Sequence, residues 1–480
     1  MSLPRPIIVV TGANSGVGYG ICRRFLQQFS QPTPPDAKPQ FLPLTSDGRA
    51  DTTFAKTESY EGLTLILACR NEGRANTARQ QLLQELDEYI HGEKRRPGYD
   101  GYAERFRDNL EVNIHLIDMS SLRTVFRFAR ELSQKYPYIS HLICNAGGAV
   151  FEGIDWLAAL GQLIRHPIIG VTVTEFKIQQ KGVVGPDGLG LVWQSNVFSH
   201  YVLSHLLEPL FAAYADRSGQ PGRVLWTSSL EASPTTFNRG DLQCIKTDQA
   251  YEATKYQIDL LASELHRRTL EATKPSVIRH IIVHPGISHS DLTKALIGAA
   301  LEYAKLAFFY VVRFFGSRNH TIEITTAAIS ATHLCLISLL FIPNMLTKFT
   351  HARFADRSRP PTLLEDSQYT HDLYRTGRRT MANCEAAEAK GKPSAIKFSA
   401  EADRLGNARV GVYSVIDYKE HEEDAKYLAD MCEELYHTYQ KLEGAGRLDQ
   451  FSEFASVWGT EMTNGTTLSE NDSRALEKPE

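Results

Sequence analysis

Near its start the chain reads Pro6-Ile7-Ile8-Val9-Val10, then Thr11-Gly12-Ala13-Asn14-Ser15-Gly16-Val17-Gly18, then a stretch of helical periodicity to Phe29. No other stretch limits the fold as strongly. A continuous apolar run of strand length predicts a strand buried on both faces, and therefore a parallel sheet between helix layers. The glycines, spaced G-x-x-x-G-x-G, let the backbone turn tightly and approach a pyrophosphate at the N-terminus of the next helix. This turn places Gly12, Ser15, Val17 and Gly18 against a nucleotide.

The same alternation continues downstream. Strands are predicted at 63–69, 110–117, 141–144, 222–227 and 277–283, with helical patterns at 75–90, 122–135, around 196–210 and from 256. The fold class is α/β: a Rossmann-like, doubly wound parallel sheet with helices on both faces. In such sheets ligands bind at the C-terminal ends of the strands, so the residues there are candidates. The second strand ends at Arg70 and not at an acid. A cation there suits a 2′-phosphate, so NADP(H) is the expected cofactor. Asp118 ends the third strand, either to accept from an adenine amine or to cap the next helix. Asn145-Ala146-Gly147 ends the fourth, with Asn145 holding a ribose or the neighbouring strand. After the sixth, Pro285-Gly286 is expected by the nicotinamide carboxamide, with Ile287 offering backbone groups and Ser290 a hydroxyl.

Chemistry concentrates at Tyr251-Glu252-Ala253-Thr254-Lys255. Positions i and i+4 share one helix face, so both side chains point into one cleft. A phenol with a pKa of about 10 is a poor acid or base at neutral pH. A nearby ammonium favours the phenolate and lowers that value. The pair then serves as a general acid toward a carbonyl or a base toward an alcohol. Ser228-Ser229 closes the strand upstream, and Asn196 is a polar residue inside an apolar helix.

Other classes are disfavoured. A net charge of −4 and the absence of a basic stripe give no case for nucleic acid. Seven scattered cysteines without a C-x-x-C argue against structural zinc, so no metal is expected. The first residues form a strand and not a signal peptide. Residues 1–345 read as one domain, with insertions at about 31–62, 91–107 and 150–191. Residues 346–465 read as a C-terminal extension with an amphipathic helix at 418–442, and 466–480 as a disordered tail. Residues 295–315 are apolar but carry Glu302, Lys305 and Arg313. Each charge costs about 2.5–3.5 kcal/mol at a bilayer centre, so an interfacial segment that also lids a pocket fits better than a span. Residues 324–343 are charge-free, and either a core helix or a membrane contact suits them.

Taken in order, TGANSGVG, Asp118, Asn145-Ala146-Gly147, Asn196, Ser228-Ser229 and Tyr-x-x-x-Lys resemble the short-chain dehydrogenases/reductases over about residues 5–345. LACRN (67–71), SNVFSHYVL (195–203) and LWTSSLEASPTTF (225–237) are similar to the fungal 3-keto-steroid reductases and to animal 17β-hydroxysteroid dehydrogenase type 7. The resemblance implies NADPH-dependent reduction of a 3-keto sterol to the 3β-hydroxy sterol during C4 demethylation, on the route to ergosterol. It implies Tyr251 as proton donor and Ser229, the second serine of the pair, as the group orienting the ketone. Lys255 would lower the Tyr251 pKa and bind the nicotinamide ribose. Asn196 would hold a water linking Lys255 to solvent. It also implies the endoplasmic reticulum membrane, lipid droplets and partners among the C4-demethylation enzymes. Two other readings remain: reduction of another lipid ketone, such as a 17-keto steroid, and a scaffold with a relic site. Intact Ser229, Tyr251, Lys255 and Asn196 argue against a relic.

Overall fold

A computed structural model describes residues 4–40, 62–165, 176–272, 276–289, 294–342, 346–347 and 394–447. Its strands are β1 (Ile7–Thr11), β2 (Leu63–Cys69), β3 (Leu110–Leu116), β4 (His141–Cys144), β5 (Phe151–Ile154), β6 (Lys177–Gln179), β7 (Gly222–Thr227), β8 (Ile278–His284), β9 (Leu346–Thr347), β10 (Ser394–Ala402) and β11 (Ala408–Ser414). The main sheet runs β11-β10-β8-β7-β4-β1-β2-β3, with β9 paired to β10. From β3 to β10 every neighbour is parallel; β11 returns antiparallel. The winding reverses between β1 and β4, and this switch point is where an open α/β sheet binds its ligand.

The apolar runs explain the centre of this sheet. Ile7, Ile8, Val9 and Val10 are buried, as are Leu65, Ile66 and Leu67 beside them. Helices Gly16–Phe29, Glu72–Glu93 and Ile329–Leu336 pack with one another on one face. Leu122–Lys135, Ser199–Leu206 and Ala250–Glu271 belong to the other. Residues 324–342 belong to the core. Ile329, Leu334 and Leu336 are buried, and Arg223 donates from β7 to the Ile337 carbonyl at 2.8 Å.

The boundary expected at residue 345 is not a structural one. β10 enters the sheet beside β8, with Phe398 opposite Val283 and Ser399 opposite His284. The C-terminal part therefore supplies strands to the first domain, which its polar sequence had hidden. The helix expected at 418–442 runs Glu422–Gly444, packs against Ala250–Glu271 and buries Leu428, Leu435 and Leu442. Insertion 150–191 forms the β5–β6 hairpin and helix Trp156–Arg165. Insertion 91–107 ends in helix Tyr102–Asp108. Of 31–62, the first part folds back so that buried Asp36 accepts from Arg24 at 2.6 Å, while 41–61 lie outside the described residues. Ser290 and the tail 466–480 also lie outside them.

Candidate active site

The glycine turn forms as the sequence requires. Gly12 and Gly16 sit at φ +68° and +53°, where a side chain would be strained. A Cβ at Gly18 would collide with the Gly12 carbonyl oxygen and the Asn145 amide. At Gly16 an added Cβ would meet nothing within 4 Å, so the turn leaves an open cradle. Ser15 is exposed at the start of Gly16–Phe29, Val17 packs on the core, and no acidic residue stands in the first helical turn. Exposed N–H groups at the positive end of a helix with no competing carboxylate suit a pyrophosphate. Arg70 stands exposed at the end of β2, and Asn71 caps Glu72–Glu93 by accepting from Arg74 N–H at 2.9 Å. These residues fit a phosphorylated dinucleotide.

Asn145 takes the second of its two expected roles. Its side-chain amide donates to the Thr11 carbonyl at 2.9 Å, and its N–H donates to Thr11 Oγ1 at 2.8 Å, so it ties β4 to β1. Asp118 also resolves toward local structure. Its Oδ1 accepts from the Ser120 N–H at 3.0 Å and the Ser120 hydroxyl at 2.7 Å. Ile287 does not offer free backbone groups. Its N–H donates to the Asn319 carbonyl at 2.7 Å and its carbonyl accepts from Ile322 N–H at 2.9 Å. The stretch 319–322 folds over the Pro-Gly loop and takes both groups.

The catalytic candidates meet at the C-terminal end of β7. Ser229 is half-buried there, its hydroxyl accepting from the Glu231 N–H at 3.1 Å and facing the Tyr251 phenol. Ser228 is buried and turned the other way, its hydroxyl facing the Lys255 carbonyl at 3.4 Å and the Asp259 carboxyl. Adjacent residues at a strand end project to opposite sides, so one serine of the pair reaches the cleft. Lys255 is buried and donates to the Thr227 carbonyl at 2.7 Å, with its Nζ 5.6 Å from the centre of the Tyr251 ring.

The electrostatics differ from the expected scheme. Burial pulls the Lys255 ammonium down to about 8, opposed by the Asp259 carboxylate. Tyr251 is not lowered by Lys255. Burial and then the Glu231 carboxylate push its phenol well above the usual value, with the Ser229 hydroxyl pulling it back. The lysine is 5.6 Å from the ring and aimed at a backbone carbonyl, whereas two carboxylates flank the phenol. Tyr251 therefore holds its proton in this state. That suits a donor to an alkoxide better than a base.

Asn196 is a core amide that bonds backbone. It lies in a π-helical turn, Gln194–Phe198, a distortion frequent at functional sites. Its side chain donates to the Gly148 carbonyl and to Thr254 Oγ1, both at 2.9 Å, and accepts from Gly148 N–H at 2.9 Å. Its carbonyl faces His200 Nδ1 at 3.2 Å. Both side-chain N–H donors of Asn196 are thus taken by protein. Asn196 locks the loop after β4 to the Tyr251 helix.

No family model matches the chain. Among curated proteins, the 3-keto-steroid reductase of Candida albicans is 33% identical over 320 residues, covering 66% of this chain and 77% of its own length. The chain belongs to the 3-keto-steroid reductase family. A relative of the same name from Eremothecium gossypii is 32% identical over 277 residues, 57% of this chain and 77% of its own. The Kluyveromyces lactis 3-keto-steroid reductase is 27% identical over 350 residues, 73% and 86%. A solved short-chain type dehydrogenase/reductase from Mycobacterium ulcerans covers 72% of this chain and 88% of its own at 16% identity and a TM-score of 0.40, a likeness too weak to build on.

Several residues of this family member's site have no signature in the sequence. The hairpin of the long insertion reaches the catalytic helix. Gln179 accepts from Tyr251 N–H at 2.9 Å and donates to Glu252 at 2.7 Å. Lys177 pairs with Glu231 at 2.7 Å, both side chains mostly buried. Strand β10 brings Lys397 to Asp259 at 2.7 Å beneath the two serines. Asp259 alone had a signal, because it follows Lys255 at i+4 on the same helix face.

Proposed function

We propose that the protein reduces a 3-keto sterol to the 3β-hydroxy sterol with NADPH, in sterol C4 demethylation on the route to ergosterol. The observation that carries the reading is the meeting of Ser229 and Tyr251 at the end of β7 with Lys255 behind them. Membership of a family whose curated relatives are named 3-keto-steroid reductases supports the substrate class. The open glycine turn supports a dinucleotide, and Arg70 supports the 2′-phosphate of NADP(H) over NAD(H).

NADPH, when bound, supplies the hydride. Ser229 donates to the ketone oxygen and fixes its direction, an interaction that strengthens as negative charge grows there. Tyr251 gives its proton to that oxygen. A phenol whose anion is disfavoured by neighbouring carboxylates remains protonated until a stronger base, the nascent alkoxide, faces it. Lys255 uses one of its three donors on Thr227, and the other two are available to the nicotinamide ribose. Its charge compensates the phenolate left behind.

We further propose a peripheral membrane position, on the cytosolic face of the endoplasmic reticulum and on lipid droplets. Helix Lys294–Phe314 turns Glu302 and Arg313 inward and presents Leu301, Tyr303, Val311 and Phe314 to solvent. Trp156, Leu157, Leu160 and Ile164 are exposed on Trp156–Arg165. Exposed apolar side chains on one helix face suit insertion at the headgroup boundary. Among the described residues no helix is long and apolar enough to cross a membrane. On this reading the partners are other enzymes acting on the same membrane-held sterol.

The test is NADPH oxidation by the full-length protein with a 4-methyl-3-keto sterol, beside Tyr251→Phe and a matched NADH trial. Turnover that vanishes in the variant supports the chemistry and substrate. Wild-type protein that binds NADPH yet spares every 3-keto sterol refutes the substrate.

A further inference from the structure

Beneath the catalytic residues lies a buried ion pair that the reaction scheme does not use. Asp259 follows Tyr251 and Lys255 at i+8 and i+4, so all three lie along one helix face. Its carboxylate accepts from Lys397 Nζ at 2.7 Å, and the two side chains are 1% and 5% exposed. Lys397 Nζ also lies 3.5 Å from the carbonyl of Ser229. Lys397 comes from β10, more than a hundred residues downstream and across the sheet from β7. Two buried charges are costly unless their geometry serves something, because an apolar pair of similar volume is often as stable.

Ionisable groups face Lys255 from three elements. Tyr251 and Asp259 face it from its own helix, His200 from Ser199–Leu206, and Lys397 from β10 behind Asp259. His284, at the end of β8, faces Lys397. Burial holds both imidazoles neutral, pulling His200 down to about 3 and His284 well below the usual value. The anion on which Lys255 depends is therefore Asp259, and Lys397 shares it.

We propose that Asp259 and Lys397 are positioning residues of the active site: the carboxylate holds Lys255 as an ammonium, while Lys397 limits that hold and pins the Ser229 end of β7. A divided anion leaves Lys255 charged yet free to meet the cofactor ribose. The proposal rests on the reductase reading for its kinetic consequence and on geometry for the pair itself.

The two single variants move Lys255 in opposite directions. Asp259→Asn removes its counter-ion, so its proton leaves at lower pH. Lys397→Met gives it the whole Asp259 anion, so its proton leaves at higher pH. Each shift is about one pH unit, the lower end for charges in close approach. The experiment measures kcat against pH for the full-length protein with the 3-keto sterol. The basic limb is expected to move down in Asp259→Asn and up in Lys397→Met, with the KM for the sterol within about twofold and Lys397→Arg close to wild type. The same shifts are read without turnover from the pH at which the urea midpoint begins to rise. That arm keeps the test alive if wild type reduces no ketone, an outcome that sinks the function and not this pair. The double variant Lys397→Met/Asp259→Leu guards against misfolding, since it leaves neither member of the buried pair without its partner; because it also removes the anion beside Lys255, its basic limb is expected to move down as in Asp259→Asn. Profiles that coincide with wild type in folded single or double variants, or that shift in the same direction in both singles, overturn the proposal.

Discussion

The two halves of the sheet are built by different rules. The half from β3 to β1 is made of neighbours in sequence, apolar through its centre, with polar groups satisfied by backbone. Thr11 and the glycine turn form one compact unit there, joined at the switch point by Asn145 from the end of β4. The half from β7 to β11 is assembled from distant pieces around charge. Lys255, Asp259, Lys397 and Glu401 are all buried in it. A cofactor platform needs shape and free backbone N–H groups, which local sequence specifies. A proton-transfer site needs displaced pKa values, and these come from burial and remote partners.

The largest effect that sharpens this contrast is at Tyr251. Tyr251→Phe is expected to lower kcat by about a thousandfold, within the range of general acid catalysis. NADPH binding, followed by fluorescence titration, should stay near wild type, because the platform lies in the other half. Ser229→Ala is expected to lower kcat by about a hundredfold. Ser228→Ala should change it by less than about fivefold, since that hydroxyl faces Asp259 and the Lys255 carbonyl. Comparable losses in both serine variants would break the assignment.

Next comes a stability effect confined to the charged half. Lys255 binds its proton less tightly in the folded chain, at about 8, than the ordinary value of 10.5. Between those values the unfolded chain holds more protons, so folding stability rises with pH across that window. Below about 8 the buried charge costs its full amount, on the order of 3 kcal/mol. Lys255→Met should therefore raise the urea midpoint at pH 7 while abolishing turnover, and the gain over wild type should shrink toward pH 10. A variant less stable than wild type at pH 7 would show that the bond to Thr227 outweighs the burial of charge.

The smallest effect belongs to the platform. Arg70→Ala is expected to raise the KM for NADPH about tenfold, the scale of a charge-assisted contact at an exposed site. The KM for NADH should not move. Equal changes for both cofactors would remove the 2′-phosphate from the proposal.

The parallel order, the glycine turn and the convergence of Tyr251 and Lys255 were legible because each rests on periodicity or spacing within a few residues. The partners of Asn196 and Ile287 were hidden for one reason. Their partners, Gly148, Thr254, Asn319 and Ile322, lie 32 to 58 residues away in the chain. Ser229 was separable from Ser228 by resemblance, and the fold adds that the two face opposite sides of the strand end. The strand at 394–402 was read as part of a polar extension, because Lys397 and Glu401 look solvated until an ion partner is placed beside them.

By itself the sequence determined a doubly wound sheet, a dinucleotide turn and a tyrosine–lysine pair, because backbone turns and helix faces are local geometry. Tertiary structure alone decided that burial and then carboxylates, and not the lysine, dominate the phenol, and that a C-terminal strand carries a cation under the site. Those outcomes are sums of desolvation and charge over groups brought together from distant parts of the chain, and no spacing within a motif encodes them.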